Sequence, residues 1–182
     1  MTNPLQHKNW FIQPITELES TILAQKDLIQ GLSWGRPSYG HPEMSVAQHV
    51  LDVLKNIDKL VLTKEDKHRL RLVAITHDSF KYKEHKHEKD YRHGKLARNF
   101  LAQFSDDNLT LELLEWHDEA YHAWQLAFTH NNVILSSRKV KRLLQVFGSD
   151  ITLFQQFFIC DSFTGDKKKH PVEWFAKILS QE

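Results

Sequence analysis

Histidine is the residue most able to do chemistry in this chain, with twelve among 182 residues. Imidazole is the commonest protein metal ligand and a general base near neutral pH, so position decides what these residues can do. One adjacent pair, His77-Asp78, follows the apolar run 70–75 (LRLVAI). At the end of a buried helix, neighbouring side chains splay by about 100° and can take adjacent positions around one cation. Twelve His and twelve Asp give about 0.8 such pairs by chance, and a second pair, His117-Asp118, is present. The dipeptide therefore gains meaning from its company. His49 stands in the first turn of a helical segment 28 residues earlier, and Asp161 ends the apolar run LFQQFFICD. A carboxylate in such a run is costly to bury unless it is paired or binds a metal. Four groups on separate helices, each beside an apolar stretch, predict an inward-facing metal site.

A His, then an adjacent His-Asp, then a distant Asp is an order that resembles the HD superfamily. The resemblance spans residues 45–166, and HDSFK (77–81) matches the frequent HD-x-x-K form. It implies a compact all-α bundle and metal-dependent phosphohydrolase activity, most often on nucleotides or other small phosphate esters. Some HD proteins add two histidines before the last Asp to hold a second metal. His93 and His117 resemble these in order and setting, and Asp78 would then bridge two ions. Dinuclear phosphodiesterases often carry His-His where this chain has His117-Asp118, which leaves Asp118 as a ligand, a partner of a ligand or a catalytic base. Lys81, Lys95 and Arg98 follow the site histidines closely and supply the positive charge that a phosphate substrate needs. Asp78, Lys81 and Asp118 are the expected catalytic groups. The expected ligands are His49, His77, Asp78, His93, His117 and Asp161, for one or two divalent ions. Mixed His and carboxylate donors suit Fe, Mn, Co or Zn better than Mg.

The elements that must position these residues are helical. Capping patterns open helices at Ser45 and Thr63, the first running to about residue 60 and the second reaching His77-Asp78. Pro14 opens a segment ending near Gly31, and residues 33–42 read as a Gly/Pro loop. A charged loop over 81–92 precedes a helix at 96–104. Asn108 or Thr110 starts the helix that carries His117. Ser137 opens a short helix closed near Gly148, Asp150 caps the apolar helix with Asp161, and Pro171 begins the last. Roughly seven helices and no strand predict one all-α domain over 1–182, and the resemblance implies that it is HD-like. Phe154, Phe157, Phe158 and Phe163 read as core. The tract 83–93 (KEHKHEKDYRH) reads as a charged loop rather than a metal tract, and His7, His41, His68, His122, His130 and His170 as surface or locally bonded residues.

Composition narrows the setting. A formal charge of +1 gives no net pull toward nucleic acid. Cys160 is the single cysteine, the start of the chain lacks a signal-peptide pattern, and no run of eighteen apolar residues occurs. These features predict a cytoplasmic protein with no membrane partner, and the resemblance implies a small-molecule phosphate substrate, nucleotide foremost. Two other functions fit the same ligands: a di-iron centre for oxygen-dependent cleavage, and a metal-stabilised module that binds nucleotide without turnover.

Overall fold

The caps do much to set where the helices lie. Ser45 Oγ accepts from Gln48 N at 3.3 Å and opens α3 (Val46–Ile57). Thr63 Oγ1 accepts from Asp66 N at 3.0 Å and opens α4 (Lys64–Thr76), whose first turn carries Glu65 and Asp66 where the helix dipole favours acids. These are features of a computed structural model that describes residues 11–35, 45–84, 92–165 and 169–181. The remaining helices are α1 (Glu17–Leu23), α2 (Lys26–Leu32), α5 (His93–Leu101), α6 (Asn108–Trp116), α7 (Glu119–Phe128), α8 (Val133–Phe147), α9 (Ile151–Ser162) and α10 (His170–Leu179). The structure is 72% helical, with no strand among the described residues. Eight of the helices have nine residues or more, in line with an all-α bundle of about seven.

Two expected segments divide. The first breaks at Ala24 into α1 and α2, and the segment after Asn108 breaks at His117-Asp118 into α6 and α7. The helix expected from Ser137 begins at Val133, because Asn132 caps it by accepting from Leu135 N at 3.1 Å. Val133, Ile134 and Leu135 are exposed there, so apolar periodicity carries no sign of that first turn. Asp150 precedes α9 without a side-chain cap hydrogen bond. The helix expected over 96–104 starts earlier, at His93.

Helix α4 lies at the heart of the packing. Its residues Leu70 to Thr76 are all buried, and it touches α3, α6 and α9. One of those buried residues is Arg71, which donates to both carboxylate oxygens of Glu19, at 2.8 and 2.9 Å, and to the Gln13 carbonyl. This ties the first helix to the centre of the bundle. Phe154 and Phe158 of α9 pack against Phe175 of α10, and Phe157 lies in the same core. Phe163, expected in the core, is exposed and lies under the Lys169 ammonium. The run Val133–Ser162 is the one described stretch long and apolar enough, by length and composition, to cross a membrane. Its side chains Leu143, Phe147, Phe154 and Phe157 are buried in this fold.

Two glycines allow the approaches that build the site. A side chain at Gly31 would meet the Ser79 carbonyl oxygen at 1.6 Å, so α2 lies directly on the turn after His77-Asp78. One at Gly94 would meet the Leu114 and Glu115 carbonyls at 2.9 and 3.0 Å, so α5 sits against the end of α6.

Candidate metal centre

Both His-Asp pairs stand where a helix ends. His77 closes α4, and its Nδ1 lies 3.0 Å from the Ala74 carbonyl; His117 closes α6, and its Nδ1 lies 2.8 Å from the Leu114 carbonyl. A carbonyl only accepts, so Nδ1 carries a proton in each ring and Nε2 is the nitrogen left to face the centre. His49, in the first turn of α3, is held from further away. The Thr164 hydroxyl donates to the Asp161 carbonyl at 2.8 Å and so accepts from His49 Nδ1 at 3.1 Å. His93, first residue of α5, has Nδ1 at 3.2 Å from Glu84 Oε1, a carboxylate that closes the 3₁₀ turn Lys81–Lys83. Each of the four imidazoles therefore has an acceptor at Nδ1 and an Nε2 directed inward.

The four Nε2 atoms meet in two pairs. His49 and His77 Nε2 are 3.2 Å apart, and His93 and His117 Nε2 are 3.1 Å apart. Two imidazole nitrogens that close together need a proton or a cation between them or beside them. Carboxylates complete each group. Asp161 Oδ1 is 2.9 Å from His49 Nε2 and 3.7 Å from His77 Nε2, while Asp78 Oδ2 is 3.7 and 3.6 Å from the same atoms. On the other side, Asp78 Oδ1 is 3.6 Å from His93 Nε2 and 3.7 Å from His117 Nε2. Asp118 Oδ2 is 3.1 and 3.5 Å from those two nitrogens. Asp78 thus gives one oxygen to each group.

These separations fit metal ions. Ligands about 2.0–2.2 Å from a cation in tetrahedral or octahedral array stand roughly 2.9–3.6 Å from one another. All six expected ligands come together, as His49, His77 and Asp161 in one buried set and Asp78, His93 and His117 in the other. Such groups could hold a metal ion through mixed nitrogen and oxygen donors. The walls are apolar and aromatic: the Phe157 ring meets His77 edge-on at 5.4 Å. Asn56 of α3 donates to the Cys160 and Phe163 carbonyls at 3.0 and 3.1 Å, which fixes the end of α9, and so Asp161, beside His49.

Charge is concentrated here. Burial pushes the Asp78 carboxyl up, but Lys81, then the surrounding histidines, outweigh it and hold the group well below the usual carboxylate range. Asp118 is likewise driven down, its burial opposed by His117, His93 and Lys81. Burial lowers His93, yet Asp118 and Glu84 raise it to about 10. Lys81 Nζ lies 2.6 Å from Asp78 Oδ2, and Asp78 and Asp118 raise its affinity for its proton despite burial.

The other expected cations lie elsewhere. Lys95 Nζ is 3.4 Å from Glu115 Oε1, and Arg98 is paired with Glu115 and Glu112. At about 100° per residue they stand roughly 200° and 140° round α5 from His93, away from its buried face of His93, Gly94, Ala97, Phe100 and Leu101. Contact with a substrate at the metal groups is therefore not what their placement offers. Thr164 and Glu84 escaped the sequence reading. Only spatial contact with His49 and His93 marks them, and Glu84 sat inside a tract read as a charged loop. His85, His87, His7 and His41 lie outside the described residues. No family model, curated protein or solved structure matches the chain.

Proposed function

We propose that this chain is an HD-type, metal-dependent phosphohydrolase acting on a nucleotide or another small phosphate ester. The observation that carries the reading is the convergence of four imidazole Nε2 atoms in two close pairs, 3.2 and 3.1 Å apart, on either side of a carboxylate that serves both pairs. Bound divalent ions would supply Lewis acidity toward a phosphoryl oxygen and acidify a coordinated water. His49, His77 and Asp161 would hold one ion, His93, His117 and Asp118 the other, with Asp78 between. Lys81, with its side chain 27% exposed and its ammonium on Asp78, would orient that carboxylate and offer N–H donors to a phosphate on its partly exposed side. Asp118, at 31% side-chain exposure, stands on the same edge as an anionic ligand.

The test is turnover of a panel of nucleoside mono-, di- and triphosphates, cyclic nucleotides and phosphodiesters by Mn- or Fe-loaded protein. Asp78→Ala is expected to lose both bound metal and turnover while the circular dichroism stays helical. Full activity with unchanged metal content in that variant, or silence of the wild-type protein across the whole panel, would overturn the proposal. A second reading rests on the donor sets themselves. His49, His77 and Asp161 are two histidines and one carboxylate, the ligand set of non-haem iron oxygenases. Substrate-linked dioxygen consumption by the Fe(II)-loaded protein would decide for that reading over hydrolysis.

A further inference from the structure

The two halves of the centre share a donor count but not a setting. His49, His77 and Asp161 come from three long helices, α3, α4 and α9, with side-chain exposures of 3, 1 and 12%. Neutral acceptors hold their imidazoles: the Ala74 carbonyl and the Thr164 hydroxyl. Asn56 locks α9 to α3 behind them. In the other half His117 is held by the Leu114 carbonyl as His77 is by Ala74, but His93 and Asp118 are walled differently. Asp118 is 31% exposed, and His93 leans on Glu84, itself 26% exposed and carried by a 3₁₀ turn instead of a long helix.

Resting on the two-ion reading above, we infer that the centre loads in order. The His49–His77–Asp161 half retains its ion, the His93–His117–Asp118 half exchanges its ion with solution, and Glu84 is the positioning residue that sets the affinity of the exchangeable half. A carboxylate that accepts from Nδ1 fixes the ring and makes Nε2 a stronger donor. Glu84 does this for His93 alone. Its removal therefore acts on one half, whereas loss of the Thr164 hydroxyl acts on the other. The free concentration of divalent metal then governs how many molecules carry a complete centre.

Calorimetric titration of Mn(II) into chelator-stripped full-length protein reads this directly, with electron paramagnetic resonance at each equivalent. The wild-type protein is expected to show two events at least about tenfold apart in Kd. An isolated Mn signal should appear first, and a spin-coupled pair only at the second equivalent. Glu84→Gln should weaken the second event alone, by roughly 10–100-fold, and Thr164→Val the first alone. Glu84→Asp, which keeps the charge on a shorter arm, should fall between the wild type and Glu84→Gln. Two events of equal affinity, a single ion per chain, or a Glu84→Gln effect on the first event would each overturn the inference. The assay contains no phosphate ester. Ordered binding by a protein that hydrolyses nothing would sink the phosphohydrolase reading alone, and equal affinities in an active enzyme would sink this inference alone.

Discussion

Replacing Gly31 with alanine tests whether helix packing at a distance in sequence sets the geometry of the His77-Asp78 turn. The added Cβ would fall 1.6 Å from the Ser79 carbonyl oxygen and 2.6 Å from its carbon. Both are backbone atoms, so no side chain can rotate away. Restoring ordinary contact requires α2 and the turn to part by about 1.8 Å, whereas metal sites tolerate roughly 0.2 Å in ligand distance. Overpacking of this kind costs up to about 3 kcal/mol, and the helix-propensity gain of Gly→Ala returns about 1 kcal/mol. The expected net loss is about 2 kcal/mol, a fall in Tm of roughly 4–8 °C for a chain of this size. Denaturant titration and differential scanning calorimetry measure the first effect, and elemental analysis of protein purified without chelator the second. Metal content should drop along with stability. A gain of about 1 kcal/mol with full metal content would mean that propensity alone acts there, and would refute the packing argument.

Two further variants separate charge from scaffold. Lys81→Ala should lower kcat/KM on phosphate esters about ten- to over a hundredfold, the worth of a charge-assisted hydrogen bond of ~1.5–3 kcal/mol; bound metal should not change, and an unaltered kcat/KM would remove Lys81 from the substrate's path. Arg71→Ala leaves Glu19 as a buried, unpaired carboxylate, so chemical denaturation should show a loss of about 3–5 kcal/mol. A loss below 1 kcal/mol would show that the pair contributes little to holding α1 on α4.

Much of this centre is legible in the chain because its ligands obey local rules. His77 and Asp161 end apolar runs, His49 follows a capping serine, and each lies in or ends a helix whose period is plain. Asp118 was legible as a residue but not as a role, because its nearness to His93 is a tertiary fact. For Lys95 and Arg98, proximity in sequence to His93 says little, because helical phase decides which side of α5 a residue takes, and here both pair with glutamates of α6. Glu84 and Thr164 had no local mark. An acceptor for an imidazole nitrogen can be any oxygen, and only the packing of the 3₁₀ turn on α5 and of α9 on α3 selects these two. The start of α8 was hidden for a different reason: its first turn exposes apolar residues, so periodicity says nothing there.

The tethers at Nδ1 also order events during folding. For His77 and His117 the acceptor lies three residues back in the same helix, so each ring loses its rotational freedom as soon as α4 or α6 forms. Side-chain entropy that an incoming ion would otherwise have to remove is already gone, a matter of up to ~1–2 kcal/mol per side chain. His49 differs, since its tether is Thr164, 115 residues further along the chain. Long-range contacts of that kind come late, because closing so large a loop is entropically unfavourable. The ring that completes the more enclosed half of the centre is thus oriented only when α9 docks on α3, and metal uptake by that half, if it binds an ion as proposed, would report that the chain has finished folding.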